Sequence, residues 1–294
     1  MVMHKIDVLY GKFDGTNGQF TRDPSGYLMI EAGIFRKNNL DVSYRYVQGT
    51  RMRYSELERG TANIALVLGR TALENFLASG TTRLIGCSIN SCPYRLVVQS
   101  EIRSAGNLPG KSLACRESTV RISPLADTLH QWGNLTIGKD IVLITPATDK
   151  EALDMLFQNV VQASLVPQPY AIIAEERGFR TLRDWPEVVD DPLALVIETT
   201  ESQFRERPEA FRAFRDAYRE GVVYLKNNRD AAIGMLCATF GQSTVVAAKA
   251  FEDLRFCLND TLTVDMEGLE KLLTDLAPGR PGGALQLASE WIVT

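Results

Sequence analysis

Short apolar runs alternate along the chain with longer stretches whose apolar positions recur every three or four residues. The short runs predict strands, and the longer stretches predict helices. We expect strands at residues 6–10, 40–47, 63–68, 83–89, 94–98, 112–115, 141–145, 161–166 and 193–197. We expect helices at residues 26–37, 51–59, 72–78, 120–132, 150–157, 208–226, 230–240, 244–255 and 266–276. This alternation indicates an α/β fold with parallel strands.

The alternation of predicted strands and helices occurs in two successive series. The strand at residues 94–98 opens a second series that follows the same order as the series opened by residues 6–10. The segment LERGTANIALV at residues 57–67 aligns with LFQNVVQASLV at residues 156–166, and each predicts a helix end, a turn and a buried strand. The sequence therefore predicts two lobes, each a mostly parallel sheet flanked by helices.

The helices that follow the last predicted strand need a surface to cover, and we expect them to return to the first lobe. Lobe 1 then comprises residues 1–92 plus 193–294, and lobe 2 comprises residues 93–192. A length of 294 residues agrees with two domains. Two chain crossings near Pro93 and Leu193 form a hinge, and a hinge between lobes is typical of proteins that close on a ligand.

Composition and charge narrow the partners and the compartment. The formal net charge of −4 argues against nucleic acid, whose phosphates attract cationic surfaces. No apolar run approaches the ~20 residues that span a bilayer, and no signal-peptide pattern follows Met1. Five cysteines without a Cys-x-x-Cys pair favour a reducing compartment. We expect a cytoplasmic protein without a membrane span, or a periplasmic one if a leader has been removed.

Three segments resemble one known family. EAGIFRKNNLDV at residues 31–42 is similar to that family's passage from helix to strand. Residues 94–98 with 108–112 resemble the start of its second lobe, and residues 166–170 resemble its proline-flanked loop. The family is the NMT1/THI5-like branch of the type 2 periplasmic-binding-protein superfamily, which includes nitrate, sulfonate, taurine and pyrimidine binders. The chain departs from it at Asn63 and Gln162, where Asp is usual, and at Phe13, where the family's desulfinases carry a cysteine.

The resemblance implies a two-lobed clamshell with two crossovers at the hinge. It also implies a substrate-binding protein of the ABC-transporter type that binds a small anionic or heteroaromatic molecule, with an ABC permease as partner if the protein is exported. The alternative is a cytosolic enzyme that uses the same clamshell, of the lyase, desulfinase-like or pyrimidine-metabolism-like kind. Fold alone does not decide between the two.

The ligand should lie beyond the carboxyl ends of the strands, where backbone amides and helix starts converge. This rule selects residues from the loops that follow the predicted strands. They are Lys12, Asp14, Asn17, Gly49, Thr50, Arg70, Thr71, Ser88, Tyr94, Glu117, Ser118, Thr119, Gln168 and Tyr170. The loop at residues 11–24 is long and rich in glycine, which suits either close approach of backbone to a ligand or an ordinary surface loop.

Two of these loops suggest contacts with an anion. The guanidinium of Arg70 could bind a carboxylate or sulfonate through two parallel hydrogen bonds, with Thr71 as the helix cap, or it could be solvated. Ser118 and Thr119 precede a helix, where free amides could face an anion, although capping alone would explain both hydroxyls. Tyr94 could cover a planar ligand or pack in the hinge.

Candidates for catalysis and metal binding are few. The only histidines are His4 and His130, so a histidine-based metal site is not expected, and no cofactor is predicted. Cys87 with His130 is the one nucleophile and base that can be assembled, and their spacing gives it no support. Unpaired cysteines are usually buried small apolar side chains. Ligand binding is therefore favoured over catalysis.

Overall fold

The structure is a computed structural model that describes residues 3–10, 24–47, 49–90, 94–116, 125–183 and 193–293. Its strands form two five-stranded sheets, each flanked by helices, which confirms the predicted α/β fold with two mostly parallel sheets. We call the unit around the first sheet lobe 1 and the unit around the second sheet lobe 2. The predicted boundaries after residues 92 and 192 adjoin residues outside the described ranges and stay predictions.

The sheet of lobe 1 has the order β2-β1-β3-β10-β4. Its strands are β1 His4–Tyr10, β2 Leu40–Tyr46, β3 Ile64–Val67, β4 Thr82–Ile89 and β10 Leu195–Thr200. β1 is parallel to β2 and β3, whereas β10 is antiparallel to both of its neighbours. The apolar faces of this sheet are buried against helices on both sides.

The sheet of lobe 2 has the equivalent order β7-β6-β8-β5-β9. Its strands are β5 Tyr94–Val98, β6 Lys111–Cys115, β7 Ile141–Ile144, β8 Ala163–Pro167 and β9 Arg180–Arg183. β6 is parallel to β7 and β8, and β5 is antiparallel to its neighbours. β5 and β10 take the same place in the two sheets and are the strands on which the chain enters each lobe after crossing from the other. The crossings therefore supply the antiparallel strands.

Thirteen helices of the described residues cover the two sheets. They are α1 Ser25–Glu31, α2 Ile34–Lys37, α3 Thr50–Glu58, α4 Gly69–Ser79, α5 Leu125–Gly133, α6 Asp149–Phe157, α7 Tyr170–Glu176, α8 Glu201–Glu206, α9 Pro208–Asn227, α10 Arg229–Phe240, α11 Thr244–Cys257, α12 Met266–Leu276 and α13 Gly283–Trp291. None of them alone is long and apolar enough to cross a bilayer, and only α10 and α11 pass that test jointly, across a bend of 118°.

Several elements differ from the sequence prediction. The single helix expected at residues 26–37 is two helices, because Gly33 adopts a left-handed conformation with φ 72° and ends α1. The helices α7, α8 and α13 and the strand β9 were not predicted. α13 begins at Gly283, within a Pro-Gly-Gly run that predicts a turn. Gly282 and Gly283 both have a positive φ.

The internal repeat is visible in the structure and extends beyond the aligned segment. α3 and α6 have nine residues each, and every residue of α3 has its counterpart 99 positions later in α6. Gly60 and Asn159, which follow these helices, share a positive φ of 70° and 58°. Asn63 accepts a hydrogen bond from the Asp7 amide at 2.9 Å, and the counterpart Gln162 accepts one from an amide in β6 at 3.2 Å.

The helices after β10 contact both lobes. α9 packs against α1 and α2, and α12 packs against α4, as the expected return to lobe 1 requires. α11, however, packs against α7 of lobe 2, where Lys249 pairs with Glu176 at 3.6 Å. The Asn259 amide then donates to the carbonyl of Cys87 at 2.9 Å, beside the end of β4. The chain therefore reaches the hinge a third time, in addition to the two crossings predicted.

Candidate functional site

The candidate site is built around the carboxyl ends of the parallel strands, which is where ligands bind in such sheets. In lobe 1 these ends include Tyr10 and Tyr46, and in lobe 2 they include Cys115 and Pro167. We call Tyr10, Tyr46 and Arg53 the lobe 1 wall. We call Arg116, Asp149 and Gln168 the lobe 2 wall.

Local backbone geometry places Arg53 at the lobe 1 wall. After β2 the chain turns through Gly49, whose φ of 82° favours glycine, and enters α3. Gly49 has no side chain to cap the helix, so the first amides of α3 depend on other partners. Arg53 lies in the first turn of α3, and its guanidinium contacts the Thr50 hydroxyl at the start of this helix.

The Arg53 side chain is buried, with an exposed fraction of 8%. Its Nη1 donates to the Val47 carbonyl at 3.1 Å, and its Nη2 donates to the Thr50 hydroxyl at 3.0 Å. Within the described ranges, its Nε has no hydrogen-bond partner and no carboxylate forms an ion pair with it. Burial lowers the pKa of Arg53, and nearby Arg116 acts in the same direction. The site thus buries a cation without an opposing charge from the described chain.

Arg116 brings lobe 2 to the same place. It follows β6 directly, and its interaction with Arg53 joins the two lobes across their strand ends. Unlike Arg53, it has a carboxylate partner, because its Nη1 lies 3.5 Å from Asp149. Asp149 is fully buried at the start of α6. The lobe 2 cation is therefore neutralised within its own lobe.

Gln168 adds a buried donor to the lobe 2 wall. It follows β8 and is 4% exposed. Its Oε1 accepts a hydrogen bond from the Ile172 amide at 3.3 Å, which fixes the side chain at the start of α7. Its Nε2 has no partner among the residues that the structure describes. An unsatisfied buried donor is costly, so both walls hold a donor that an acceptor group of a ligand would stabilise.

The remaining predicted residues of lobe 1 are engaged within that lobe. Arg70 pairs with Asp275 at 3.2 Å and with Glu74 at 3.6 Å, and its side chain is 20% exposed. The predicted cap at Thr71 is wrong, because α4 begins at Gly69 and no side chain caps it. The Ser88 hydroxyl is buried in the sheet and donates to the carbonyl of Leu195 at 3.2 Å. These positions keep a binding role only as predictions.

The two tyrosines among the predicted ligand-binding residues are buried. Tyr94 is 0% exposed and Tyr170 is 1% exposed, so both rings lie within the core. This burial agrees with hinge packing, the structural alternative to covering a planar ligand. Gly49 and Thr50 do lie at the lobe 1 wall, at the start of α3.

The structure does not bring the weak catalytic pair together. The Cys87 thiol is buried in β4 and donates to the carbonyl of Ile89 at 3.3 Å, while His130 is exposed on α5 of lobe 2. Of the described residues, no three histidine, cysteine or acidic side chains are grouped so as to hold a metal ion. Lys12, Asp14, Asn17, Glu117, Ser118 and Thr119 lie outside the described residues.

Sequence reasoning selected the loop before α3 but missed Arg53. The available signal was an arginine in the first turn of a helix that follows a strand end and a glycine. It also missed Tyr46, although Tyr44 and Tyr46 share one face of a strand by period-two alternation. A charged or aromatic residue at the end of a strand, or in the first turn of the helix that follows, therefore indicates a candidate site residue, in addition to the residues of the loops.

A second buried ionisable group lies behind the lobe 1 wall. Glu198, in the inner strand β10, is completely buried and accepts hydrogen bonds from Tyr54 at 2.6 Å and Trp291 at 3.1 Å. Burial raises the pKa of Glu198 from 4.5 to about 7. Tyr54 neighbours Arg53 in α3, so this carboxyl group supports the helix that carries the guanidinium.

Comparison with solved structures identifies the architecture. The periplasmic sulfonate-binding protein SsuA of a sulfonate ABC transporter from Methylobacillus flagellatus has a TM-score of 0.71 at 15% identity, over 99% of this chain and 92% of that chain. The alkanesulfonate-binding protein SsuA from Xanthomonas axonopodis pv. citri, bound to MOPS, has a TM-score of 0.70 at 14% identity, with full coverage of both chains. The chain has a type 2 periplasmic-binding-protein fold.

This fold is shared with an enzyme. The desulfurization enzyme DSZB has a TM-score of 0.67 at 16% identity, and a cysteine-to-serine mutant of DSZB in complex with biphenyl-2-sulfinic acid has a TM-score of 0.67 at 18% identity, each over 96% of this chain and 95% of that chain. No family model matches the sequence. No curated protein matches it either. At these identities the likeness establishes the periplasmic-binding-protein fold, and the ligand has to be argued from the side chains.

Proposed function

We propose that this protein binds a small anionic molecule between its lobes, as the substrate-binding component of an ABC importer. The observation that carries the proposal is the buried guanidinium of Arg53, which has no carboxylate partner among the described residues. The anionic group of the ligand would lie against Arg53 and the start of α3. Arg53 thereby replaces Arg70 as the principal cation of the site.

The burial of the Arg53 charge favours the binding of an anion. Burying a charged side chain away from water is costly unless an opposite charge and hydrogen bonds compensate for it. Two of the Arg53 nitrogens are satisfied by the Val47 carbonyl and the Thr50 hydroxyl, but both acceptors are neutral. A bound anion would supply the missing charge and an acceptor for Nε. Arg binds carboxylate and sulfonate-like groups well because its donors form a planar fork.

The two walls also suggest how closure is coupled to binding. Arg116 disfavours the charged form of Arg53 across the lobes, even though Arg116 is paired with Asp149. An anion between them would reverse this unfavourable interaction, and Gln168 would offer a further donor from lobe 2. Ligand would therefore favour the closed arrangement by differential contacts, as a hinge mechanism requires.

The structural neighbours support the transport role in this proposal. Two of them are named as sulfonate-binding or alkanesulfonate-binding proteins, and one as periplasmic and part of an ABC transporter. An ABC permease as partner and a periplasmic location follow as parts of the proposal. The expected cytoplasmic location gains no support from these neighbours.

A binding assay with a matched control tests the proposal. A thermal-shift screen of small sulfonates, carboxylates and neutral pyrimidines should give a higher unfolding midpoint with at least one anion, because ligand stabilises only the folded state. Titration calorimetry with that anion should show at least ~30-fold weaker binding for Arg53→Met, the loss expected when a buried charge-assisted contact is removed. Arg36→Met removes an exposed arginine of α2, at the opposite end of the sheet, and should bind like wild type. Stabilisation by neutral pyrimidines alone would contradict the proposal.

The desulfurization enzyme with this fold makes catalysis the second candidate. The described cysteines Cys87, Cys115 and Cys257 are buried, and Cys237 is partly buried, so none of the described ones is an open nucleophile at the site. Incubation of the protein with the identified ligand should return the ligand unchanged by mass spectrometry. Conversion to a product would favour the enzyme.

A further inference from the structure

A chain of aromatic rings leads from the core of lobe 1 to the strand ends that carry the site. Phe240 contacts Tyr27 with ring centroids 6.1 Å apart, and Tyr27 contacts Tyr10 at 5.3 Å. Tyr10 contacts Tyr46 at 6.2 Å, because the two residues pair in register at the ends of β1 and β2. The centroid separations are those of favourable edge-to-face contacts.

Exposure rises along this chain toward the site. Phe240 is 7% exposed at the inner end, whereas Tyr46 is 38% exposed at the outer end. Core packing explains the buried rings, but it does not require an exposed ring at the end of β2. Large apolar surface is normally turned inward, so an aromatic ring at a ligand-binding edge is informative.

The equivalent positions of lobe 2 show that the fold does not require these rings. The matching registers of the two sheets make Cys115 the counterpart of Tyr10 and Thr145 the counterpart of Tyr46. Cys115 is buried and Thr145 is a small exposed side chain. The same sheet is therefore built in lobe 2 without aromatic residues at these ends.

The rings reach the anion-binding group. Tyr46 precedes Val47, whose carbonyl oxygen accepts the hydrogen bond from Arg53. Tyr46 therefore lies one residue from the backbone carbonyl that holds the Arg53 guanidinium. The aromatic edge and the guanidinium thus meet at one end of β2 and can be contacted by one small molecule.

We infer that the ligand is an aromatic anion, with its acidic group at Arg53 and its ring against Tyr46 and Tyr10. This inference rests on the proposed function and specifies its substrate class. An aliphatic anion would satisfy Arg53 but would not add a ring contact at the exposed face of Tyr46. Tyr46 is then a specificity-determining residue, and its aromatic face rather than its hydroxyl makes the contact.

Paired ligands of equal charge separate the ring from the acid. Calorimetric titrations with benzenesulfonate and cyclohexanesulfonate, and with benzoate and cyclohexanecarboxylate, compare rings of similar size with the same anionic group. In at least one pair the aromatic member should bind about threefold to tenfold more tightly, the range of a single aromatic contact. Equal or weaker binding of the aromatic members would overturn this inference and leave the proposed function intact.

Substitutions at Tyr46 test the residue itself. Tyr46→Phe keeps the ring and should preserve the preference for the aromatic member of the pair. Tyr46→Leu keeps an apolar side chain of moderate size and should reduce that preference to less than about twofold, since the ring contact is lost. Both variants should unfold at temperatures close to wild type, because Tyr46 is an exposed residue of an edge strand.

The two proposals fail in different ways. If Tyr46→Leu retains the full preference, the aromatic contact is elsewhere and the inference is wrong, while anion binding stands. If none of the four anions binds and Arg53→Met behaves like wild type in the wider screen, the proposed function is wrong as well.

Discussion

Lobe 1 and lobe 2 are close copies at one end of their sheets and different at the other. At the amino ends of β3 and β8, Asn63 and Gln162 accept hydrogen bonds from equivalent backbone amides. At the opposite end, the counterpart of Arg53 in α6 is Ala152, which is completely buried. Helix α6 is also capped by the Thr148 hydroxyl, whereas Gly49 leaves α3 without a side-chain cap.

The contrast separates what the fold needs from what the site needs. The same turn occurs in both lobes because each lobe connects a helix to a parallel strand in the same way, α3 to β3 in lobe 1 and α6 to β8 in lobe 2. The strand ends differ in charge, because Arg116 has Asp149 as its partner and Arg53 has no carboxylate partner among the described residues. Under the proposed function, binding energy would be concentrated in lobe 1, and lobe 2 would complete the site on closure.

The largest expected effect of a difference between the lobes is on stability, and it comes from the buried Glu198 in the core of lobe 1. Glu198 pairs with Ala65 in the sheet, and the equivalent residue of lobe 2 is Val97, which pairs with Ser164. Burial raises the folded-state pKa of Glu198 to about 7, above the ordinary 4.5. Its stabilising contribution is therefore full below 4.5 and is lost as the pH rises through 7.

The size of this loss is roughly 3 kcal/mol, from the conversion of a pKa shift into free energy. Denaturant unfolding of wild type and Glu198→Gln across this pH window measures it. The glutamine of the variant cannot ionise, so the free energy of unfolding of Glu198→Gln should not show this ~3 kcal/mol decline as the pH rises. An identical decline in both proteins would show that Glu198 does not titrate as its burial requires.

The two arginines provide the next test. Arg53→Met should weaken binding of an anionic ligand by at least ~30-fold, whereas the double variant Arg116→Met/Asp149→Asn, which removes the lobe 2 ion pair as a unit, should weaken it by less than about tenfold, because its two charges already compensate one another. Calorimetric titration of both variants with the same ligand measures the ratio. Equal losses would mean that the two lobes hold the anion equally, and the comparison between the walls would fail.

The repeated turns provide the smallest test, in which the lobes should behave alike. Asn63→Ala and Gln162→Ala each remove the acceptor of a backbone amide and should each lower the free energy of unfolding by about 1–2 kcal/mol. Asn63 also donates to Gln203 at 3.0 Å, so its variant should be the more destabilised of the two. Chemical denaturation gives both values. A cost confined to one lobe would show that the turns are not equivalent.

Much of the fold could be read from the sequence, because it depends on local patterns. The strand periods, the repeat at residues 57–67 and 156–166 and the return of the C-terminal helices to lobe 1 follow from hydrophobic spacing and turn residues. The antiparallel direction of β5 and β10 could not be read, since it results from each strand entering a sheet built by the other segment. The third approach to the hinge, through Asn259, depends on long-range hydrogen bonds.

The candidate site was only partly predictable. The loop before α3 was selected correctly as a strand-end loop, and Gln168 lies at the equivalent end of β8. Arg70 was selected because it lies in a loop after a predicted strand, and Arg53 was missed because it lies within a predicted helix; sequence does not show which of the two arginines has an acidic neighbour. The ion pair of Arg70 with Asp275 joins residues far apart in the chain, and only the folded structure brings them together.

A crystal structure of the protein with benzenesulfonate bound would show which side chains hold the anion. We expect the sulfonate within hydrogen-bond distance of the Arg53 guanidinium and the first amides of α3, with the ring against Tyr46. A sulfonate held by Arg116 and Gln168 without Arg53, or bound away from the strand ends of lobe 1, would contradict it.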